Sequence, residues 1–393
     1  MTYYYNDLPS RMSGRPDTVE TKAPARTVWD IPAFLLCAGL LALPFQVVQV
    51  SIAQPGHLWM LATLGFMLLY RSVRFSTAEA LVFALFLGVT VILTFLQDYP
   101  RVKSVEQLSK FAFFYPGFYL VGRWLGWRFE NRLIPLGYVF LFSFLLFQYL
   151  TQALSLPVIY QEINFGQGAL HGTFRERNWL AVYFLLFSYI LLLKDASRWK
   201  FAWFFLLNGL VMLLSGSKTT FVAAGIIFLF QSRLPLWMKL VPMAVGAVFY
   251  LSVFSDEFSE EKLNVKLEEE RGLAFQASIE LIEKNPVGYG LGFVEAYFGS
   301  NSLEIRGLGE GTNSVFSVPL DLMIVAGFAG IALWLVIFVG VGNSAVLALA
   351  PIAALSLLNP LHQSELVYFF IGFIVTLARM KARKPSVTSV HRP

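Results

Sequence analysis

Acidic and basic residues are absent from three long stretches of the chain: Ile31 to Tyr70, Leu133 to Gln161 and Leu322 to Ser364. A bilayer core takes about 20 apolar residues per helix, so the first and third stretches each have room for two crossings. Soluble cores do not produce uninterrupted runs of this length. Continued along the chain, the pattern predicts an all-α polytopic membrane protein of about twelve transmembrane helices, near 31–51, 57–70, 78–97, 111–127, 133–153, 178–193, 200–215, 219–232, 236–254, 315–339, 343–358 and 365–380. Most connections are short. Two are long, about 154–177 and about 255–314, and long connections are where function concentrates. The larger one begins acidic. It then allows a helix over Gly272 to Lys284, stopped by Asn285-Pro286, with Phe275, Ile279 and Ile282 on one face that could lie along the membrane.

Composition agrees with this reading, at 56% hydrophobic and only 14% charged residues. The net charge of +5 does not point to nucleic acid, because the basic residues sit between apolar runs, where they set orientation. With the N-terminus inside and the spans alternating, the short inside segments carry 15 of the 30 Lys and Arg, among them Arg71, Arg123, Lys194, Arg233 and Arg379. Both termini are therefore expected in the cytoplasm, with the large loop at 255–314 extracytoplasmic. The polar first 30 residues read as a disordered cytoplasmic tail, and 381–393 as a basic one. Cys37, the single cysteine, excludes an intrachain disulfide and a Cys-based metal site.

The candidate chemistry lies at the outer ends of the spans. His171-Gly-Thr-Phe-Arg175-Glu-Arg177-Asn178 closes the first long loop, and its paired arginines suit phosphate oxygens; interfacial anchoring is the alternative. Ser215-Gly-Ser-Lys218-Thr-Thr220 separates two uncharged runs that are short for a bilayer, which predicts a broken turn below the surface. A lysine at that depth marks a functional site or snorkels to the interface. Arg271 precedes the loop helix after three glutamates, so a salt bridge competes with a ligand role. Asn285-Pro-Val-Gly-Tyr-Gly-Leu-Gly292 is a glycine-punctuated turn. Asp321 near the outer end of an apolar helix either orients one of these cations or favours the helix dipole. His362 reads as a polar loop residue rather than a catalyst. Arg175, Arg177, Lys218, Arg271 and Arg306 could converge into a cationic pocket for a lipid-attached phosphate or pyrophosphate.

In these segments the chain resembles the polysaccharide polymerase and O-antigen ligase superfamily of bacterial inner membranes, and most nearly its Wzy-type exopolysaccharide repeat-unit polymerases. The resemblance is carried by Gly172 to Asn178, by Ser215-Gly-Ser-Lys218-Thr219, by Arg271 followed by Asn285-Pro286 and Gly288-Tyr-Gly290, and by Leu320-Asp321 with Gly327 and Gly330. It implies a GT-C-like, metal-independent glycosyltransferase without a cofactor. Such an enzyme moves a growing glycan from an undecaprenyl-pyrophosphate carrier to another lipid-linked repeat unit, and works in the bilayer, commonly beside a chain-length regulator. Arg271, Lys218 and Arg177 would neutralise the pyrophosphate leaving group. Arg175, Asn178, His171, Asn313, Asp321 and Glu310 would complete the substrate-binding set, and Glu176 or Glu310 would accept the proton of the acceptor hydroxyl. One departure stands out. Many members carry His-Asn just before the Leu-Asp helix, where this chain has Phe316-Ser317, or Thr312-Asn313 in a shifted alignment. That departure counts against an O-antigen ligase, the nearest alternative; a flippase for lipid-linked sugar is the alternative of another class.

Overall fold

A computed structural model describes residues 31–48, 53–70, 75–96, 101–156, 169–174, 177–232, 234–253, 270–300 and 315–383. The structure is all-helical, 82% helix, with no strand among the described residues. In chain order the α-helices are α1 Ile31–Ala42, α2 Pro55–Leu69, α3 Thr77–Leu96, α4 Arg101–Ser109, α5 Tyr115–Arg128, α6 Leu133–Ala153, α7 Arg177–Lys194, α8 Arg198–Ser215, α9 Thr219–Gln231, α10 Leu236–Val253, α11 Glu270–Lys284, α12 Phe293–Ser300, α13 Val318–Gly342, α14 Ala350–Ser356 and α15 Glu365–Arg383. A π-turn, Lys110–Phe114, joins α4 to α5.

Helix α7 is the centre of the bundle, with every residue from Leu180 to Leu193 buried. Elsewhere the exterior is as apolar as the core. Leu81, Leu85, Ile92 and Phe95 on α3, Leu136, Val139 and Leu146 on α6, and Val241, Val245 and Val248 on α10 are exposed. Helices that are hydrophobic all round belong in lipid or deep in a core. Among the described residues, α3, α6 and α7 are each long and apolar enough to cross a membrane. At about 1.5 Å per residue, the 20 residues of α3 reach about 30 Å, the thickness of a hydrocarbon core.

Helical structure occupies each segment in which a span is expected, but four segments differ in form. Helix α1 stops at Ala42, because Pro44 cannot continue it; the chain turns instead, and the Val47 N–H donates to the Thr173 carbonyl at 3.1 Å. The helix expected from 111 begins ten residues earlier, at Arg101, where Glu106 pairs with Lys103 at 3.5 Å and with Lys110 at 2.9 Å across successive turns. Residues 343–358 form a 3-10 turn, Asn343–Leu349, and the seven-residue α14 rather than one long helix. Helix α13 is broken inside. The expected tail at 1–30 lies outside the described residues; of the expected tail at 381–393, residues 381–383 are the end of α15, which runs to Arg383, and the rest lies outside the described residues.

The break in α13 organises one end of the bundle. Ala326 and Gly327 leave helical geometry (φ −142° and +57°), which frees the carbonyls of the preceding turn. Two backbone donors from the glycine-punctuated turn fill them: the Tyr289 N–H reaches the Ile324 carbonyl at 2.7 Å, and the Gly290 N–H the Val325 carbonyl at 2.8 Å. Such an approach leaves no room for side chains. A Cβ on Gly288, whose φ is +102°, would sit 2.6 Å from the Ala326 nitrogen, and one on Gly290 2.5 Å from Thr94 Cα. The turn thus wedges between α13 and the end of α3, where the Leu291 N–H donates to Thr94 Oγ1 at 2.7 Å. The helix expected in this loop is present as α11; Ala274, Ser278 and Leu281 are buried, Phe275 and Ile282 half-buried, and Ile279 is exposed.

At the other end of α3 a buried carboxylate ties three helices. Glu79, fully buried, accepts from Tyr119 Oη (2.9 Å), from Arg379 (3.1 Å) and from Arg123, and closes a capping box with Ser76. Above it α5 and α15 cross backbone to backbone. A Cβ on Gly122 would overlap the Phe369 carbonyl, and one on Gly372 the Tyr119 carbonyl, which is the small-residue contact typical of helices in lipid. Substitution of glycines should separate these close approaches from open positions. Gly288→Ala should destabilise the protein by about 2 kcal/mol or more. Gly209→Ala, on α8 with nothing near its Cβ position, should be neutral or stabilise by about 0.5–1 kcal/mol. Thermal unfolding in detergent reads both; equal melting temperatures for the two variants would contradict the wedge.

Candidate functional site

Two groups of polar residues meet at the end where α3 finishes. The first surrounds the Ser215–Lys218 turn. Helix α8 ends at Ser215 on a left-handed Gly216 cap, and α9 restarts at Thr219. This is the expected broken turn, with Lys218 half-buried at the helix entry. Arg177 opens α7 beside it: its Nη1 lies 3.6 Å from the Cβ position of Gly216, and Asn178 follows half-buried. The approach to α7 is pinned by hydrogen bonds. The Leu170 N–H donates to the Leu214 carbonyl at 2.8 Å, Gln148 Nε2 donates to Thr173 Oγ1 at 2.7 Å, and the Thr173 N–H returns to Gln148 Oε1 at 2.6 Å. His171 is buried in this segment, with Nδ1 3.1 Å from the Phe174 carbonyl.

The second group lines a small cavity between α4, the turn following Leu291, α12, the start of α13, and the Leu361–Gln363 turn. Its polar walls are Gln107, Glu295, Asp321, His362 and Gln363. Asp321 is fully buried; its Oδ1 accepts the Val315 N–H at 3.0 Å, and its Oδ2 lies 3.6 Å from His362 Nε2. Burial pushes the His362 imidazole down to about 3, so at neutral pH this is the contact of a neutral ring, not an ion pair. Glu295, 7% exposed, accepts from Gln363 Nε2 at 3.2 Å. Burial pushes its carboxyl up to about 7, against the opposing pull of Lys110 and Lys103.

One short turn joins the groups. Asn359 Nδ2 donates to Thr219 Oγ1, next to Lys218, at 3.2 Å, and three and four residues later His362 and Gln363 reach the cavity. Four peptide steps span at most about 14 Å, so the cation and the buried acids lie within the reach of one oligosaccharide. The structure thus brings together Arg177, Asn178, Lys218 and, through this turn, Asp321. Arg271 is the second residue of α11. Arg175, Glu176, Arg306, Glu310, Thr312 and Asn313 lie outside the described residues.

Glu295, Gln107 and Gln363 escape sequence reasoning, and His362, expected as a polar loop residue, lies in a turn but is buried. Glu295 reads as one more acid of an acidic loop until the wedge at 288–292 buries it. Gln107 hides in what reads as a polar connection. The nearest signal was the uncharged Asn359-Pro-Leu-His-Gln turn between two apolar runs. Among the described residues no three His, Cys, Asp or Glu are grouped to hold a metal ion. No family model matches the chain, and no curated protein matches it.

A carboxyl whose folded pKa is raised binds its proton more tightly in the folded state than in the unfolded one. Its contribution is then whole below the ordinary value of 4.5 and is lost as pH rises to about 7. The melting temperature should therefore fall between about pH 5 and about pH 8, and fall less in Glu295→Gln. Parallel pH profiles for the two proteins would refute this account of Glu295.

Proposed function

We propose that this chain is a multi-pass glycosyltransferase of the bacterial inner membrane. In this reading it lengthens a polysaccharide by moving a growing glycan from an undecaprenyl-pyrophosphate carrier to a lipid-linked repeat unit. The observation that carries it is the pairing of Arg177 with the half-buried Lys218 turn, tied through Asn359 to a buried acid cavity. Fixed cations there would stabilise the charge that develops on a departing pyrophosphate, with Arg271 at the start of α11 supplying a third. The ordered motifs from Gly172 to Gly330 support the same reading. In this account the twelve helical segments cross the membrane in a GT-C-like arrangement, with both termini cytoplasmic. The Lys218 end faces outward, where nucleotide sugars are absent and donors are lipid-linked. A chain-length regulator is the expected partner, and no metal or cofactor takes part.

One observation favours a second reading. Although His-Asn is missing before Leu320-Asp321, His362 stands beside Asp321 from another segment, which would supply the histidine a ligase needs. Purified protein in liposomes with lipid-linked repeat units separates the two. Wild type should build polymer, and Lys218→Ala and Arg271→Ala should remain folded but slow growth roughly 10²–10³-fold each. Wild-type growth by both variants would remove the cations from the mechanism. Transfer only to a lipid A core acceptor would replace the polymerase with a ligase.

A further inference from the structure

The acid cavity is short of hydrogen-bond donors. Gln107 Oε1, Glu295 Oε2, Asp321 Oδ2 and His362 Nδ1 are all buried, and no partner reaches them among the described residues. All four side chains line the same cavity, and each is more than nine-tenths buried. The donors nearby are already committed: Gln363 Nε2 to Glu295 Oε1, and the Val315 N–H to Asp321 Oδ1. An amide oxygen and two ionised carboxylates can only accept, and buried acceptors without donors are costly. The missing hydrogens have three sources: a water molecule supplies two, each protonated carboxyl one, and the neutral His362 ring one N–H. The space, ≈ 10 Å³, is about that of one water.

We propose that this cavity is the proton acceptor of the transfer: Glu295, bridged by a water molecule to Asp321, takes up the hydrogen that the acceptor sugar hydroxyl releases. The assignment rests on the transferase reading. The acceptor oxygen forms its bond to the anomeric carbon. The bond from that carbon to the pyrophosphate oxygen breaks, and its electron pair leaves with the phosphate. The hydroxyl proton passes through the water to the Glu295 carboxylate, which becomes a neutral acid and later returns the proton to solvent. Asp321 and His362 are positioning residues. They hold the water, and the His362 ring, which stays neutral, adds no permanent cation to the cavity. The charged and titratable groups facing Glu295 are Lys103, Glu106 and Lys110 of the α4–π segment, Tyr115 of α5, Asp321 of α13 and His362 of the turn. The carboxyl pKa of about 7 suits a base near neutrality. The Asn359–Thr219 link ties the turn that carries His362 and Gln363 to the Lys218 turn.

Infrared difference spectra and chain growth, recorded on wild type and Glu295→Gln in liposomes, test the assignment. Wild type should show a carboxylic acid band that is lost as pH rises through about 7, and its chain growth should rise over the same range. Glu295→Gln should lack the band, melt as wild type does near pH 5, still bind lipid-linked repeat units, and lengthen them about 10²–10⁴-fold more slowly. Absence of the band in wild type, or wild-type growth by Glu295→Gln, overturns the assignment and leaves the transferase reading standing. A wild type that shows the band but lengthens no glycan overturns the transferase reading itself, and the assignment with it.

Discussion

A helix that breaks so that another segment can dock into it is the constraint on which this end of the molecule depends. Unwinding α13 at Ala326–Gly327 frees the Ile324 and Val325 carbonyls, whose residues are buried in the protein. Unmet buried carbonyls would each cost roughly 1–3 kcal/mol. The Tyr289 and Gly290 N–H groups satisfy them, and only glycine fits so close. The consequences run outward from that contact. The docked turn seats Leu291 on Thr94, starts α12, and lowers Glu295 into the cavity where Asp321 already lies. The carboxyl pair is buried because the backbone is satisfied, not because the acids attract each other.

The two ends of α3 divide the labour. One end is a closed ion cluster in which Glu79 meets Arg123, Arg379 and Tyr119; its donors and acceptors match, as a structural tie requires. The other end keeps polar atoms without matching donors and a cation at a broken turn. Mismatch of this kind is destabilising, and the proposed transfer would give it a use. The grouping also agrees with the charge pattern along the chain. Arg123 and Arg379, assigned to the same side by the positive-inside rule, do meet, and so do Lys218's turn and the 359–363 turn, assigned to the opposite side.

Helix positions were legible because charge-free runs report lipid burial directly: Leu133–Ala153 matches its expected span residue for residue. The break between α8 and α9 was legible because Gly216 and Lys218 interrupt two short runs. The break in α13 was not, since Ala326-Gly327 lies in a continuous apolar stretch and only the partner turn opens it. For the same reason Glu295 stayed hidden, as its burial arises from a contact about 30 residues away in sequence. The packed face of α11 carried no signal of its own, because Ala274 and Ser278 are small and do not stand out beside Phe275 and Ile279. The burial of His362 was not legible, because a lone histidine in a loop carries no signal until its neighbour across the fold is known.

The most direct test of the account is the pool of lipid-linked oligosaccharide in cells lacking this protein, sorted by leaflet and length. The account predicts single repeat units accumulating on the outer leaflet, cleared when wild type is restored but not when Lys218→Ala is. Units held on the inner leaflet would mean a flippase, and full-length polymer left on its carrier a ligase; either result would contradict the polymerase.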